Sequence, residues 1–158
     1  WIDGFIKIAG AEADVKDVTI DADKIYDAIL AVYMELPDEV IERGAEIYVS
    51  PANFRKFMQE LVAKNFFHYA GATEAAPEEF YFPGTNAKVV LTPGLTGVND
   101  KILGTFAKNL FYGCDMEGDA EDIKVWFSDD DDLYKLKVKW NMGVQIAFPD
   151  MVVLGATA

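Results

Sequence analysis

The sequence predicts an α+β domain: a mixed sheet flanked by helices, with a long bent β-hairpin. Three observations carry that reading. Ile123, Val125 and Phe127 alternate with Asp122, Lys124 and Trp126, four aspartates (Asp129 to Asp132) interrupt, and Tyr134, Leu136, Val138 and Trp140 then alternate with Lys135, Lys137 and Lys139. Period two around a short polar break is the pattern of a hairpin with one apolar and one charged face. Gly143 relaxes the backbone before Val144, Ile146 and Phe148 resume the alternation, so the ribbon bends along its second arm and ends at Pro149. Two further segments, Asp21 to Leu36 and Ser50 to Val62, place apolar residues at helical spacing. Helices and strands interleave without a regular βαβ rhythm, which argues for a mixed sheet rather than a doubly wound one.

Taken in order, WIDGFIKIAG spaces Ile2, Phe5, Ile6 and Ile8 as a short helix or entry turn that Gly10 stops. Glu12 to Thr19 is polar and shows no period. Asp21 is read as the N-cap of an amphipathic helix whose apolar face carries Ile25, Ile29, Val32, Tyr33 and Leu36. Pro37 ends or restarts it, and Asp38 to Arg43 adds helical turns that Gly44 closes. Glu46 to Val49 is a short β-rich run. Ser50-Pro51 then supplies an N-cap and a first helical residue that has no amide to satisfy, and Phe54, Phe57, Met58, Leu61 and Val62 form the following helix's apolar stripe. Phe66 to Tyr69 ends this helix and a small-residue loop runs from Ala70 to Pro77. Phe80 to Phe82 and Lys88 to Leu91 flank Pro83-Gly84-Thr85-Asn86 as a hairpin, and Thr92 to Leu95 turns the chain again. Ile102 to Phe106 is a strand, and Asn109 to Tyr112 a short strand or turn before the long ribbon.

Length and charge narrow the function. A chain of 158 residues can bury a core without a disulfide or metal. Hydrophobic residues at 51% and charged ones at 26% describe a folded globular domain rather than a disordered tail. Lys plus Arg is 14 against 27 for Asp plus Glu, and the resulting net charge of -13 repels nucleic-acid phosphates and anionic lipid surfaces alike. No direct sequence-specific nucleic-acid binding and no membrane insertion are expected. The longest apolar runs fall well short of the ~20 residues a membrane helix needs, and no signal peptide or lipid anchor is read. The single Cys114 cannot form an internal disulfide, which fits a reducing compartment. Because the first residue is Trp1 rather than Met, the chain is expected to be part of a longer one.

No residues converge on a catalytic, cofactor or metal motif, so neither an enzyme nor a cofactor is predicted. Asp129 to Asp132 offers carboxylate oxygens suited to calcium, but lacks the alternating spacing and glycine of a calcium loop, and a solvated turn is the simpler reading. His68, the only histidine, has no identifiable partner for metal or proton chemistry and reads as a packed or half-exposed residue. Cys114 reads as a small buried residue beside Asp115. The aromatic groups Phe66-Phe67-His68-Tyr69, Phe80-Tyr81-Phe82 and Phe111-Tyr112 could stack a ligand, but sit in apolar patterns and read as core. The apolar ribbon face is expected on the protein's own core. Its charged face, Lys135, Lys137 and Lys139, together with Asp129, Asp130, Asp131 and Asp132, forms the candidate subunit interface, the alternative being a solvated face.

Six segments in order resemble the C-terminal part of a tailed-bacteriophage major capsid protein with the Hong Kong bacteriophage fold: IDGFIKI (Ile2 to Ile8), DADKIYDAILAVYMELP (Asp21 to Pro37), IYVSPANFRKFMQEL (Ile47 to Leu61), VVLTPGL (Val89 to Leu95), KNLFYGCDMEGD (Lys108 to Asp119) and WFSDDDDLYKLKVKWNMGVQIAFPD (Trp126 to Asp150). Each is short and largely apolar; their order and spacing across nearly the whole chain carry the likeness. The resemblance implies an axial-domain-like region over residues 1–119, a ribbon resembling part of the peripheral domain over 120–148, and a terminal strand over 149–158 returning to the axial region. It implies that the N-terminal arm, extended loop and spine helix of such proteins lie outside this sequence. It also implies self-assembly into pentamers and hexamers of an icosahedral head enclosing double-stranded DNA, with scaffolding protein and portal as partners. The location implied is the virion, and the host cytoplasm during assembly. Overall acidity suits an inner surface that must not adhere to packaged DNA. Two alternatives remain at this level: the shell of a cellular nanocompartment, and a monomeric glycan- or protein-binding module that uses exposed aromatics.

Overall fold

The computed structural model describes residues 4–21, 23–64, 79–114, 124–137 and 142–157. Its framework is a six-stranded mixed sheet in the order β1 (Lys16–Ile20), β10 (Val153–Thr157), β5 (Lys101–Thr105), β2 (Glu46–Val49), β4 (Lys88–Leu91) and β3 (Glu79–Tyr81). β1 runs parallel to β10 and β2 parallel to β4, while the other neighbours are antiparallel. The helices are α1 (Phe5–Ala9), α2 (Ile25–Glu35), α3 (Asp38–Glu42) and α4 (Pro51–Ala63). Two further ladders stand apart from the sheet: β6 (Leu110–Cys114) with β9 (Met142–Ile146), and β7 (Lys124–Ser128) with β8 (Leu133–Lys137). The fold is α+β.

Strand alternation sorts the core onto two faces. Val89, Ile47, Gly104 and Val153 stand in one row across four strands. This face packs with Ile25, Ile29 and Val32 of α2, Val40 of α3, and Phe54, Phe57 and Leu61 of α4 into the larger cluster. Tyr48, Leu103 and Leu154 form the opposite row. It packs with Ala9 and the partly buried Phe5, Ile6 and Ile8 of α1, and with Val15, Ile146 and Val152. Full burial of a side chain such as Phe57 contributes roughly 1.5–3 kcal/mol, whereas the half-exposed pairs Arg43–Glu39 and Lys56–Asp23 contribute about 0–1 kcal/mol. The two apolar clusters therefore hold the fold, and the surface ion pairs do not.

Helix α2 seats on the sheet by removing side chains beneath it. A Cβ built on Gly104 would lie 2.7 Å from Val32 Cγ1, and one on Gly155 would lie 2.9 Å from Val32 Cγ2 and 3.1 Å from Ile20 Cγ2. The two glycines are on adjacent strands, β5 and β10, and open the notch that Val32 fills.

The ends of the two long helices follow different logic. Ser50 caps α4 as its sequence predicts, its Oγ accepting from Asn53 N at 3.2 Å with Pro51 in the first turn. Asp21 does not cap α2. The residue before that helix is Lys24, with no side-chain cap, and the first-turn amides of Ile25 and Tyr26 donate instead to Glu60 Oε1 and Oε2, both at 2.9 Å. A carboxylate from α4 thus satisfies the orphan amides of α2 and meets the positive end of its dipole. Lys64, one turn further along α4, lies 3.9 Å from the Tyr26 ring centre and 3.4 Å from Asp27 Oδ1. Asp21 serves its own turn, accepting from Asp23 N.

Other expectations fare unevenly. The short helix at Phe5–Ala9, the α3 turns closed by Gly44 at φ 90° and the β3–β4 hairpin are present. The stretch read as lacking a period holds β1: as an edge strand it buries only Ile20, and its pairing with β10 comes from the far end of the chain. The readings on Phe66 to Tyr69, including His68, and on Ala70 to Pro77 lie outside the described residues. No described helix is long and apolar enough to cross a membrane.

Adding one methyl at the notch should be costly because the nearest atoms belong to a stiff β-branched side chain. Gly104→Ala and Gly155→Ala are each expected to lower stability by about 1–3 kcal/mol in urea denaturation. In a double-mutant cycle with Val32→Ala, the cost of Gly104→Ala should shrink, whereas additive costs would show that α2 is seated by other contacts.

Candidate subunit interface

The ribbon leaves the main sheet at Asn109, a fully buried polar residue. Its Nδ2 donates to Thr105 Oγ1 at 3.0 Å and to the Phe148 carbonyl at 2.9 Å, while its Oδ1 accepts from Phe148 N at 2.7 Å. Its own carbonyl accepts from Ala147 N at 3.0 Å. Thr105 Oγ1 in turn donates to the Met151 carbonyl at 3.0 Å. One buried amide side chain thus satisfies the backbone of the returning strand where it turns off the ladder.

Beyond Asn109, Leu110 pairs with Ile146, Tyr112 with Val144 and Cys114 with Met142. The second arm's lower half therefore pairs with Leu110–Cys114, which extends past the Asn109 to Tyr112 stretch read as strand or turn. Only Ile146 of this ladder is buried. Phe111 and Tyr112 are exposed, and so is Cys114, contrary to the buried positions expected for all three. A two-stranded ribbon has no second layer to cover its side chains, so an apolar pattern there does not imply burial. In the group Phe80-Tyr81-Phe82, Phe82 is buried and Phe80 packs on the core, while Tyr81 is exposed.

The β7–β8 hairpin has the predicted alternation and turn. Val125 faces Leu136 and Phe127 faces Tyr134 on one side; Lys124 faces Lys137 and Trp126 faces Lys135 on the other. Ser128 and Leu133 flank the turn Asp129 to Asp132, and Asp132 takes φ 52° to close it. The Phe127 and Tyr134 rings meet edge to face at 5.1 Å. The apolar face does not pack on the protein's own core: Val125 is 65% exposed, Leu136 66% and Tyr134 81%. Trp126 and Leu133 add exposed apolar surface on the other side.

The candidate residues occupy this tip. Lys135 is ion-paired with Asp131, which also accepts from Ser128 Oγ at 3.2 Å. Lys137 and the turn aspartates are exposed. Lys139 lies outside the described residues. Among the described residues no group of three or more His, Cys, Asp and Glu could hold a metal. The two lysines facing each other, Lys124 and Lys137, put like charges side by side on a strongly acidic chain.

A groove of about 900 Å³ lies on the α1 side of the sheet. Phe5, Ile6, Tyr48, Leu95, Val98 and Leu103 line it, with Lys7 and Lys101 as its charged members. Its far wall is held by Asn99, whose Oδ1 accepts from Ser50 Oγ at 2.7 Å and whose carbonyl accepts from Asn53 Nδ2 at 2.9 Å. Sequence reasoning missed the groove, Asn109 and Glu60. The groove has no linear signature, and Asn109 signals itself only as an amide next to an apolar run.

No family model and no curated protein matches the chain. Solved structures do. The chain is similar to the virus-like particle from Pyrococcus furiosus, at 13% identity over 94% of this chain and 59% of that one, with a TM-score of 0.54. It is also similar to a chain of Mycobacterium phage Che8, at 16% identity over 90% of this chain and 53% of that one, with a TM-score of 0.64. At such identities the likeness is one of fold, a capsid-like shell fold, and the chain spans little more than half the length of either neighbour.

Replacing the Asn109 side chain leaves the amide and the carbonyl of Phe148 and the Thr105 hydroxyl without this partner at once, each lost bond costing about 1–3 kcal/mol where the group stays buried. Asn109→Ala is expected to destabilise the chain by roughly 2–4 kcal/mol in urea denaturation and to speed amide hydrogen exchange at Ala147 and Phe148. Exchange unchanged at those two amides would mean that the ribbon base is held elsewhere.

Proposed function

We propose that this chain is a structural shell subunit, without enzymatic activity, which self-assembles through its ribbon into a closed capsid-like particle. The observation that carries this reading is the uncovered apolar face of Val125, Phe127, Tyr134 and Leu136 on a free-standing hairpin, in a fold like that of shell-forming proteins. An isolated two-stranded ribbon is only marginally stable in water, and this one leaves its large apolar side chains wet unless a partner covers them. In this reading residues 1–119 form the axial unit, 120–148 the peripheral ribbon, and 149–158 the returning strand.

Lys135, Lys137 and Lys139 on one side and Asp129 to Asp132 at the tip set the register between neighbours. Repeated weak charge contacts select orientation without a large affinity at each contact. The finer form of the proposal is the major capsid protein of a tailed phage or prophage, with pentamers and hexamers closing around double-stranded DNA. Scaffolding protein and portal act as partners, assembly takes place in the host cytoplasm, and the product resides in the virion. One further version is the shell of a cellular nanocompartment, which would enclose protein rather than DNA; the similarity to a virus-like particle is one of fold and fits either.

The test is expression of the chain together with whatever flanking sequence its gene encodes, with mass by light scattering and negative-stain images of the same fractions. Closed shells or rings of five or six subunits are expected, and nuclease-protected DNA within them separates the phage form from a protein-filled shell. Lys135→Glu with Lys137→Glu should lower the assembled fraction about tenfold, while leaving the far-ultraviolet circular dichroism of the chain unchanged. A monomer under all conditions, including added scaffold candidates, would overturn the shell reading in favour of a binding module.

A further inference from the structure

The groove on the α1 side of the sheet is built from packed elements. Tyr48 of β2 and Leu103 of β5 pair side by side as its floor, and Lys101, two residues along β5, shares their side of the sheet. Phe5 and Ile6 of α1 stand on one side, and the loop bearing Leu95 and Val98 on the other. Asn99 fixes that loop to Ser50 and Asn53 at the start of α4, so no loop ordering opposes binding there. Its chemistry runs against that of the chain. Asp and Glu outnumber Lys and Arg by 27 to 14, yet the charged residues among the described lining are Lys7 and Lys101, both basic. An occupant with apolar surface and negative charge is therefore favoured twice, by burial against the walls and by attraction to the two lysines.

The same chain carries a segment of that description. Asp129 to Asp132 form the turn of β7–β8, where Asp131 is held by Lys135 and Ser128 while Asp129, Asp130 and Asp132 are exposed. Leu133 and Tyr134 follow directly and are exposed as well. The groove's volume of about 900 Å³ lies within the ~300–1,000 Å³ of sites that enclose small ligands, room for a four-residue turn but not for a whole ribbon. We propose that the Asp129 to Asp132 tip of one copy docks in the groove between Lys7 and Lys101 of a neighbouring copy. Tip and groove are different surfaces, so the contact is heterologous: every copy offers both, and a rotation that closes the series gives a ring. The inference rests on the shell reading and names the surface that receives the ribbon.

Charge exchange tests it on the chain with its gene-encoded flanking sequence, read as the assembled fraction by light scattering. Lys7→Glu with Lys101→Glu should lower that fraction about tenfold, and so should Asp129→Lys with Asp130→Lys, each with unchanged far-ultraviolet circular dichroism. All four substitutions together restore the attraction with its sign reversed, and should return assembly to within about twofold of the original. A second readout does not depend on charge and decides alone should the exchange variants fail to fold. Two single-cysteine chains, Lys101→Cys and Asp130→Cys, each with Cys114→Ser to remove the native exposed thiol, are co-expressed and treated with a short bismaleimide. A covalent dimer is expected from the mixture and from neither chain alone. Losses that merely add in the fourfold variant, or particles that form without the mixed cross-link, overturn this contact and leave the shell reading standing. A chain that stays monomeric throughout overturns both.

Discussion

Val32, resting in the notch between Gly104 and Gly155, is the contact on which the rest of the molecule depends. It brings α2 down onto β5 and β10 at once, joining residues from the first, second and last thirds of the chain. The close approach lets Ile25, Ile29 and Leu36 reach the same cluster as Ile47, Val89 and Val153. Side chains cannot interpenetrate, so bulk at either glycine would lift α2 and open space beneath every one of them. The Glu60 carboxylate then fixes the start of α2 against α4, and the Tyr26, Phe57 and Phe82 rings fill the angle between the two helices.

The ribbon obeys the opposite constraint. Where the main sheet has helices on both faces, α1 reaches only the base of β6–β9 at Ile146, and among the described residues no helix covers β7–β8, whose apolar residues stay in water. The chain tolerates this because Asn109 closes the backbone bonding at the base, so that the exposed ladders need not unravel the core.

Much of this was legible in order along the chain. Ser50-Pro51 announced α4 because capping is local, and the β7–β8 hairpin followed from period-two alternation around Asp129 to Asp132. The apolar stripe of α2 was visible, but not its cap, since Glu60 is distant in sequence and Asp21 looked suitable by proximity. β1 was illegible because an edge strand buries little and takes its identity from the strand beside it. Phe111, Tyr112 and Cys114 were misplaced because an apolar pattern reports what a residue prefers rather than whether a covering layer exists.

The sequence by itself determined the local elements and the fold class: the helical stripes, the hairpins, their turns and the acidic balance all depend on neighbours a few residues away. Only the tertiary structure decided which faces are covered. The notch under Val32, the cap on α2, the Asn109 clamp and the bare face of the ribbon each require groups separated by tens of residues to meet, or to have nothing to meet. Burial is a property of the assembled layers, and no periodicity within a strand can state whether a second layer will arrive.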